Sequence, residues 1–305
     1  MVKRHYDNSE LMNYKEREPN LETFEGKELL LHFDSFCLGD TICFSSLMDA
    51  FMDYHKPKYV WVTTFFPHLL KSNRPDYEFI NANESGFLEI DKLVDVGYDK
   101  NNMAHTLGGM FYAAKDTMRL PQETKPGKCP VIPKLRTIDP NKITMGPETI
   151  KEISQWKYNG NEGWQTIVNS LHNVGYNVYN ISYENTMNLE NVIGFHGHDD
   201  LNVAIDHIVS SRFFVGLSSG LSWLAWAYDV PVVMISNFTK SQNEFDCFRV
   251  TNPYVCNGCF NMFPNIKTKC PIFLGTEREN ECHTKIKPKM VIDKINEAII
   301  FTNKN

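Results

Sequence analysis

Short apolar runs rich in β-branched and aromatic residues recur along the chain, and between most of them apolar positions return at helical spacing. Glu28 to Phe33 (ELLLHF) predicts a first strand and Tyr59 to Thr64 (YVWVTT) a second. Between them Ile42, Ser45, Leu47, Met48 and Phe51 predict one helix, with Gly39 allowing a close turn and Asp40 placed as its N-cap. Weaker strands are expected at Tyr77–Ile80 and Leu93–Gly97, and a helix interrupted by Gly108-Gly109 between Asn101 and Leu120. A proline- and lysine-rich stretch, Lys125 to Pro147, sets a domain boundary near residue 140, where Ile143–Met145 opens a second sheet.

The second half alternates more regularly. A helix over Trp164–Val174 closed by Gly175, a strand over Tyr176–Ile181, a short strand over Asn191–Phe195 and a helix over Leu201–Val209 are predicted in turn. Residues 212–235, RFFVGLSSGLSWLAWAYDVPVVMI, form the central unit. A strand enters the small-residue turn Gly216–Gly220, Leu221, Leu224, Ala225 and Tyr228 mark a helix, and Pro231 ends it before a buried strand, Val232–Ile235. Phe248–Thr251 predicts another strand. Pro288 opens a last helix with Val291, Ile292, Ile295, Ala298 and Ile299 on its buried stripe. Strand–helix alternation of this kind predicts α/β architecture with parallel sheets. Residues 1–27 are polar without a period and read as an N-terminal extension.

With 305 residues there is material for two cores, and the net charge of −6 argues against a general nucleic-acid binder. No apolar run reaches the ~18–20 residues of a membrane-spanning helix, and the charged N-terminus has no signal-peptide core, so a cytoplasmic location is expected. The eight cysteines are then thiols or metal ligands. Cys256-x2-Cys259-x10-Cys270-x11-Cys282 has the spacing of a closed tetrahedral site, for which zinc leads and iron is second. Cys37, Cys43, Cys129 and Cys247 read as packing residues.

The turn Gly216-Leu217-Ser218-Ser219-Gly220 supports two chemistries. Bulk-free residues before a helix let phosphate reach the unpaired N–H groups and the positive end of the dipole. The same five residues fit the G-x-S-x-G elbow of an α/β-hydrolase, with Ser218 as nucleophile and Asp246 or Asp229 and His283 completing a triad. His196-Gly197-His198-Asp199-Asp200 reads as a polar loop before the next helix, and Trp223 and Trp226 as packing groups.

The order of motifs carries a resemblance. Leu38-Gly39-Asp40-Thr41 after the first strand, the Gly163-Trp164-Gln165 helix, the run Val215 to Ala227, Asn243-Glu244-Phe245 and the four cysteines together resemble the bacterial autotransporter heptosyltransferases, relatives of the lipopolysaccharide heptosyltransferases. The resemblance implies a GT-B fold: two Rossmann-like domains (28–140 on the acceptor side, 141–305 for the nucleotide sugar) facing a cleft, with a metal module at 253–283. It implies transfer of heptose from ADP-heptose, with inversion, to a serine or threonine of a protein such as an autotransporter adhesin. Transfer to lipopolysaccharide or another glycan is the same-class alternative; a non-catalytic, metal-stapled binding module is another.

The catalytic base it implies is Asp40, with Asp34 as fallback. Lys157, or else Lys151, would contact the donor diphosphate. Gly39, Thr41, Ser218, Ser219, Gly220 and Glu244 would line the donor site, Glu244 at the ribose. The cysteine cluster would hold structural iron in preference to zinc. No Asp-x-Asp motif is present, and no catalytic Mg2+ is expected. A homo-oligomer is admitted, although the residues before the first strand are fewer than the family's N-terminal domain. Where the lipopolysaccharide enzymes carry Asp-Thr-Gly, this chain has Ser218-Ser219-Gly220.

Overall fold

A computed structural model describes residues 23–84, 88–97, 104–149, 158, 160–183, 187–194, 201–260 and 270–304. Most of the N-terminal extension, Lys151, Lys157 and the His196–Asp200 loop lie outside the described residues.

The first half builds a four-stranded parallel sheet from β1 (Glu28–Phe33), β2 (Tyr59–Thr64), β3 (Tyr77–Asn81) and β4 (Lys92–Val96), in the order β3-β2-β1-β4. In β1 and β2 burial alternates strictly. Leu29, Leu31, Phe33, Val60 and Val62 face the helices, while Leu30, His32, Tyr59 and Trp61 remain half-buried on the other side.

The single helix expected after β1 is two: α1 (Leu38–Ser45) and α2 (Met48–His55). Ser45 and Ser46 donate their hydroxyls back to the Ile42 and Cys43 carbonyls, at 3.0 and 2.7 Å. Such back-bonding loosens a helix. The Ser46 carbonyl then receives the Gly127 N–H at 2.8 Å, so the chain turns there. Helix α2 ends at Lys56, in the left-handed conformation. Helix α3 (Ala104–Thr117) is kinked at Gly109, whose φ is +83°, in keeping with the interruption foreseen at Gly108-Gly109.

The second sheet has six parallel strands: β5 (Asp139–Gly146), β6 (Asn177–Asn180), β7 (Val192–Gly194), β8 (Ser211–Leu217), β9 (Val232–Ile235) and β10 (Phe248–Val250). Their spatial order, β7-β6-β5-β8-β9-β10, is the doubly wound order in which the chain reverses direction across the sheet between its first and fourth strands. Helices α5 (Leu201–Val209) and α6 (Gly220–Ala227) pack on one face against Phe214, Val232 and Met234. Helices α4 (Gly160–Asn173) and α8 (Pro288–Lys304), the latter following the short α7 (Glu281–Thr284), cover Phe213, Val215, Val233 and Ile235 on the other. Residues on both faces of β8 and β9 are therefore apolar, as a fully buried parallel strand requires.

Helix α4 begins at Gly160, four residues before the predicted Trp164, and ends as expected at Gly175. There φ is +92°, and the Gly175 and Tyr176 N–H groups close on His172 and Leu171. The hydrophobic cluster on the α5–α6 face runs without a break into the core of the first sheet, from Phe24 to Phe245. Among the described residues no helix is long and apolar enough to cross a membrane.

Candidate active site

In parallel α/β sheets ligands sit beyond the carboxyl ends of the strands where strand order reverses. In the first sheet that point lies between β1 and β4, where the Asp34 N–H meets the Val96 carbonyl at 3.0 Å. In the second it lies between β5 and β8, where Gly146 pairs with Gly216. Each point launches a helix, α1 after β1 and α6 after β8.

The two helices meet at their N-terminal turns. A Cβ on Gly39 would stand 2.8 Å from Cδ1 of Trp223, and one on Gly220 would stand 3.0 Å from Cβ of Leu38. Each glycine thus seats the other helix's side chain at backbone distance. Trp223 is held from behind by an edge-on Phe245 at 4.9 Å, an edge-on Trp226 at 5.7 Å and Phe111 at 5.7 Å. The two tryptophans are packing groups, as read from the sequence. They lock Leu38-Gly39-Asp40-Thr41 against Ser218-Ser219-Gly220.

Asp40 is not the N-cap. Cys37 occupies that position with extended φ and ψ, and its carbonyl accepts the Thr41 N–H at 3.1 Å, which leaves Asp40 as the third helical residue. The carboxylate is half-buried, and its Oδ2 accepts the Ser35 hydroxyl at 2.6 Å. Ser35 Oγ in turn accepts the Cys37 N–H at 3.0 Å. A carboxylate in the first turn of a helix is favoured in its charged form by the dipole. That charge, second to burial, pushes the Cys43 thiol one turn on above its ordinary range. Asp34, the fallback, is exposed at the strand end. Thr41 is fully buried, its hydroxyl 3.4 Å from that of Thr64, inside the helix–sheet contact.

On the other side of the contact Ser218 is buried and Ser219 half-buried, at the N-cap of α6. The Ser222 hydroxyl returns to the Leu217 carbonyl at 2.5 Å and fixes the turn. Asp229, one of the aspartates considered for a hydrolase triad, follows the opposite end of α6 and is exposed, with Lys128 3.6 Å away. The other, Asp246, is also exposed.

A small cavity opens beyond the ends of β8 and β9, lined by Tyr158, Leu217, Asn237, Thr239, Cys282 and His283 among others. Glu244 lies beside it with a fully buried side chain. One oxygen accepts the Ser236 and Thr239 hydroxyls and the other the Arg249 Nε–H at 2.7 Å. Expected at a ribose, Glu244 commits one oxygen to the loop that follows β9 and the other to Arg249 on β10. Sequence reasoning missed Ser35 and this Ser236–Thr239–Arg249 network. Their one visible signal was a polar residue just past the end of a buried strand, the usual place for a ligand-facing loop.

The four cysteines expected at a metal converge only partly. Among the described residues no group of three or more His, Cys, Asp or Glu side chains is gathered closely enough to hold an ion. The donor set nevertheless suits a thiophilic metal. Cys259 and Cys282 are pushed up to about 12 by burial and then by the neighbouring cysteines of the same four. Thiols that resist ionisation together are those a cation would stabilise as thiolates. The module is tied to the loop after β9 through Gly258, whose N–H donates to the Asn237 carbonyl at 2.7 Å, and is closed on itself by the Cys256 N–H donated to Glu281 at 2.9 Å. All eight cysteines are free thiols.

Two parallel sheets whose strand-end helices meet tip to tip make an α/β, GT-B-like fold. No family model matches the chain. It is 28% identical to the autotransporter heptosyltransferase Aah of Escherichia coli, over 95% of this chain and 80% of that protein. It is 37% identical to the autotransporter heptosyltransferase BAHTCr of Citrobacter rodentium over 42% of this chain and 35% of that one. A relative from Burkholderia thailandensis, 24% identical over 84% of this chain and 65% of its own length, is named an inactive autotransporter heptosyltransferase, BimC. In three dimensions the chain matches the dodecameric iron-containing heptosyltransferase TibC of enterotoxigenic E. coli, solved with ADP-D-β-D-heptose. The TM-score is 0.81 at 23% identity, over 93% of this chain and 80% of that one. The resemblance drawn from the motifs is borne out: the chain is similar to the autotransporter heptosyltransferases, which are glycosyltransferases.

Proposed function

We propose that the chain transfers heptose from ADP-heptose to a serine or threonine hydroxyl of a protein, with inversion, and that Asp40 is the general base. The observation that supports this reading is the tip-to-tip contact of α1 and α6, which brings the helix turn that carries Asp40 against a small-residue helix N-terminus. Inverting transfer needs those two groups on opposite sides of one anomeric carbon. Asp40 takes the proton as the acceptor oxygen forms its bond to that carbon. The C–O bond to the diphosphate breaks, and its electron pair leaves with ADP. The N–H groups opening α6 at Ser218–Gly220 receive the developing charge, with Lys157, or Lys151, supplying a cation.

On this reading residues 28–140 and 141–305 are the two domains and the site is the cleft between them. Glu244 shapes the loop beside the donor rather than touching the ribose. Cys256, Cys259, Cys270 and Cys282 would hold iron, as the TibC relative is iron-containing, and the metal would staple the 253–283 module to the loop after β9. A cytoplasmic protein with reduced thiols and an oligomer like that relative's are consistent with it.

The test is Asp40→Asn, assayed for ADP-heptose binding by calorimetry and for transfer by intact-mass shift of an acceptor protein. Binding should persist while transfer falls by about 10²–10⁴-fold. Unimpaired transfer sinks the proposal. Tight binding with no transfer by the wild-type protein to any protein, lipopolysaccharide or glycan acceptor would instead align it with the inactive relative. Labelling of Ser218 by a fluorophosphonate would revive the hydrolase.

A further inference from the structure

We infer that Ser35 is the positioning residue of the Asp40 base, holding its carboxylate in one rotamer and in its charged form. This rests on the reading of Asp40 as base. Three observations carry it. The Ser35 hydroxyl donates to Asp40 Oδ2 at 2.6 Å, the short distance of a charge-assisted O–H···O bond. The same oxygen accepts the Cys37 N–H at 3.0 Å. A hydroxyl has one proton, and the backbone donor on its lone pair turns that proton toward the carboxylate. Ser35 itself is fixed: two residues beyond a strand whose last residue, Phe33, is fully buried, its N–H donates to the Phe33 carbonyl at 2.8 Å.

The chain of donors therefore runs from the Cys37 backbone, through Ser35, to the base. It spans the β1–α1 turn and needs no group from the second sheet. Asp40 is half-buried, and an aspartate so placed has alternative rotamers open to it. A hydrogen bond given to the ionised form favours that form over the protonated one. The base would thus stay charged at lower pH and point the same way before the acceptor arrives. Ser35 contacts neither sugar nor acceptor in this role; it acts through Asp40.

The experiment compares Ser35→Ala, Ser35→Thr and Asp40→Asn in the full chain, with ADP-heptose as donor and a fixed acceptor protein. Turnover is followed across pH, and donor affinity and melting temperature are measured for each variant. Ser35→Ala should lower kcat roughly 10- to 100-fold, the worth of one hydrogen bond to a charged group. It should also move the acid limb of the kcat profile upward by about one pH unit while leaving donor affinity unchanged. Ser35→Thr, which keeps the hydroxyl, should restore both. Wild-type kcat and acid limb in Ser35→Ala, beside an inactive Asp40→Asn, would overturn the role of Ser35 alone. A fall in kcat with an unmoved acid limb and no rescue by threonine would do the same, since only packing would then be lost. Wild-type turnover in Asp40→Asn would remove the base, and the Ser35 proposal with it.

Discussion

Replacing Gly39 by alanine should damage this protein more in function than in stability. The added Cβ would lie 2.8 Å from Trp223 Cδ1 and 3.3 Å from both Cγ and Nε1. Carbon atoms do not approach so closely, so either the indole or helix α1 must move. The indole has little room, because Trp223 is 3% exposed and wedged among Phe111, Trp226 and Phe245. Inserting a methyl into such a contact costs about 1–3 kcal/mol. Alanine in place of glycine inside a helix returns up to ~1 kcal/mol. The net loss should be ~1–2 kcal/mol, a fall of a few degrees in melting temperature for a chain of this size.

The displaced element is α1, which carries Asp40, and it moves relative to α6, which carries Ser218–Gly220. A misplacement approaching 1 Å costs up to ~10²-fold in rate. Denaturant unfolding together with transfer kinetics should therefore show a modest stability loss beside a large loss in kcat. A second variant, Trp223→Ala, removes the atoms the new Cβ would meet, so Gly39→Ala should cost less in that background than in the wild type, with non-additivity of at least ~0.5 kcal/mol, at the low end of coupling between touching residues. Wild-type kcat with equal or raised stability in Gly39→Ala would mean that only helix propensity changed, and the contact argument would be refuted.

Three further outcomes follow from other parts of the fold. Gly109→Ala should cost at least ~2 kcal/mol and detach the Ser241–Asn243 turn from α3, because φ there is +83° and the new Cβ would overlap the Gln242 carbonyl at 1.8 Å; faster proteolysis near residue 242 checks it, and an intact turn with wild-type stability refutes it. His55 is buried, with its Nε2–H donated to the Met118 carbonyl at 2.9 Å, and burial holds its imidazole below the ordinary range. The neutral ring's stability contribution is thus complete above about pH 6.5 and is lost as pH falls through the lowered value, by up to ~1.4 kcal/mol per pH unit; His55→Gln should flatten that acid dependence in urea titrations, and an unchanged slope would contradict it. On the proposal that the four cysteines hold iron, Cys282→Ser should yield protein without it and loosen the Gly258–Asn237 tie, read by elemental analysis and hydrogen exchange at residue 258; stoichiometric iron in the variant would exclude Cys282 as a ligand.

Local pattern carried most of the architecture. The runs ELLLHF, YVWVTT and VVMI can only be buried strands, since β-branched and aromatic residues on consecutive positions need cover on a pleated surface, and all three are strands here. Glycine after helix α4 and proline before α8 stopped and started those helices as their backbone restrictions require. Small residues likewise supplied the Ser218–Gly220 turn as a candidate, because only they let a ligand reach a helix N-terminus, whereas Asp40 entered as a candidate base through the family resemblance.

Tertiary packing decided what those turns are to each other. Nothing in the 183 residues between Gly39 and Trp223, or the 181 between Leu38 and Gly220, announces that these residues meet; both contacts depend on how two sheets dock, a long-range arrangement that no local period encodes. The same holds for Asp40, read as a cap from its spacing and found within the helix's first turn because Ser35 and Cys37 close the turn ahead of it. It holds for the helix that broke at Ser46, where a carbonyl turned to a glycine N–H some 80 residues away. Side-chain period reports which face is buried, whereas hydrogen-bond partners far along the chain report what is built there. Only the folded chain brings the second kind of information together.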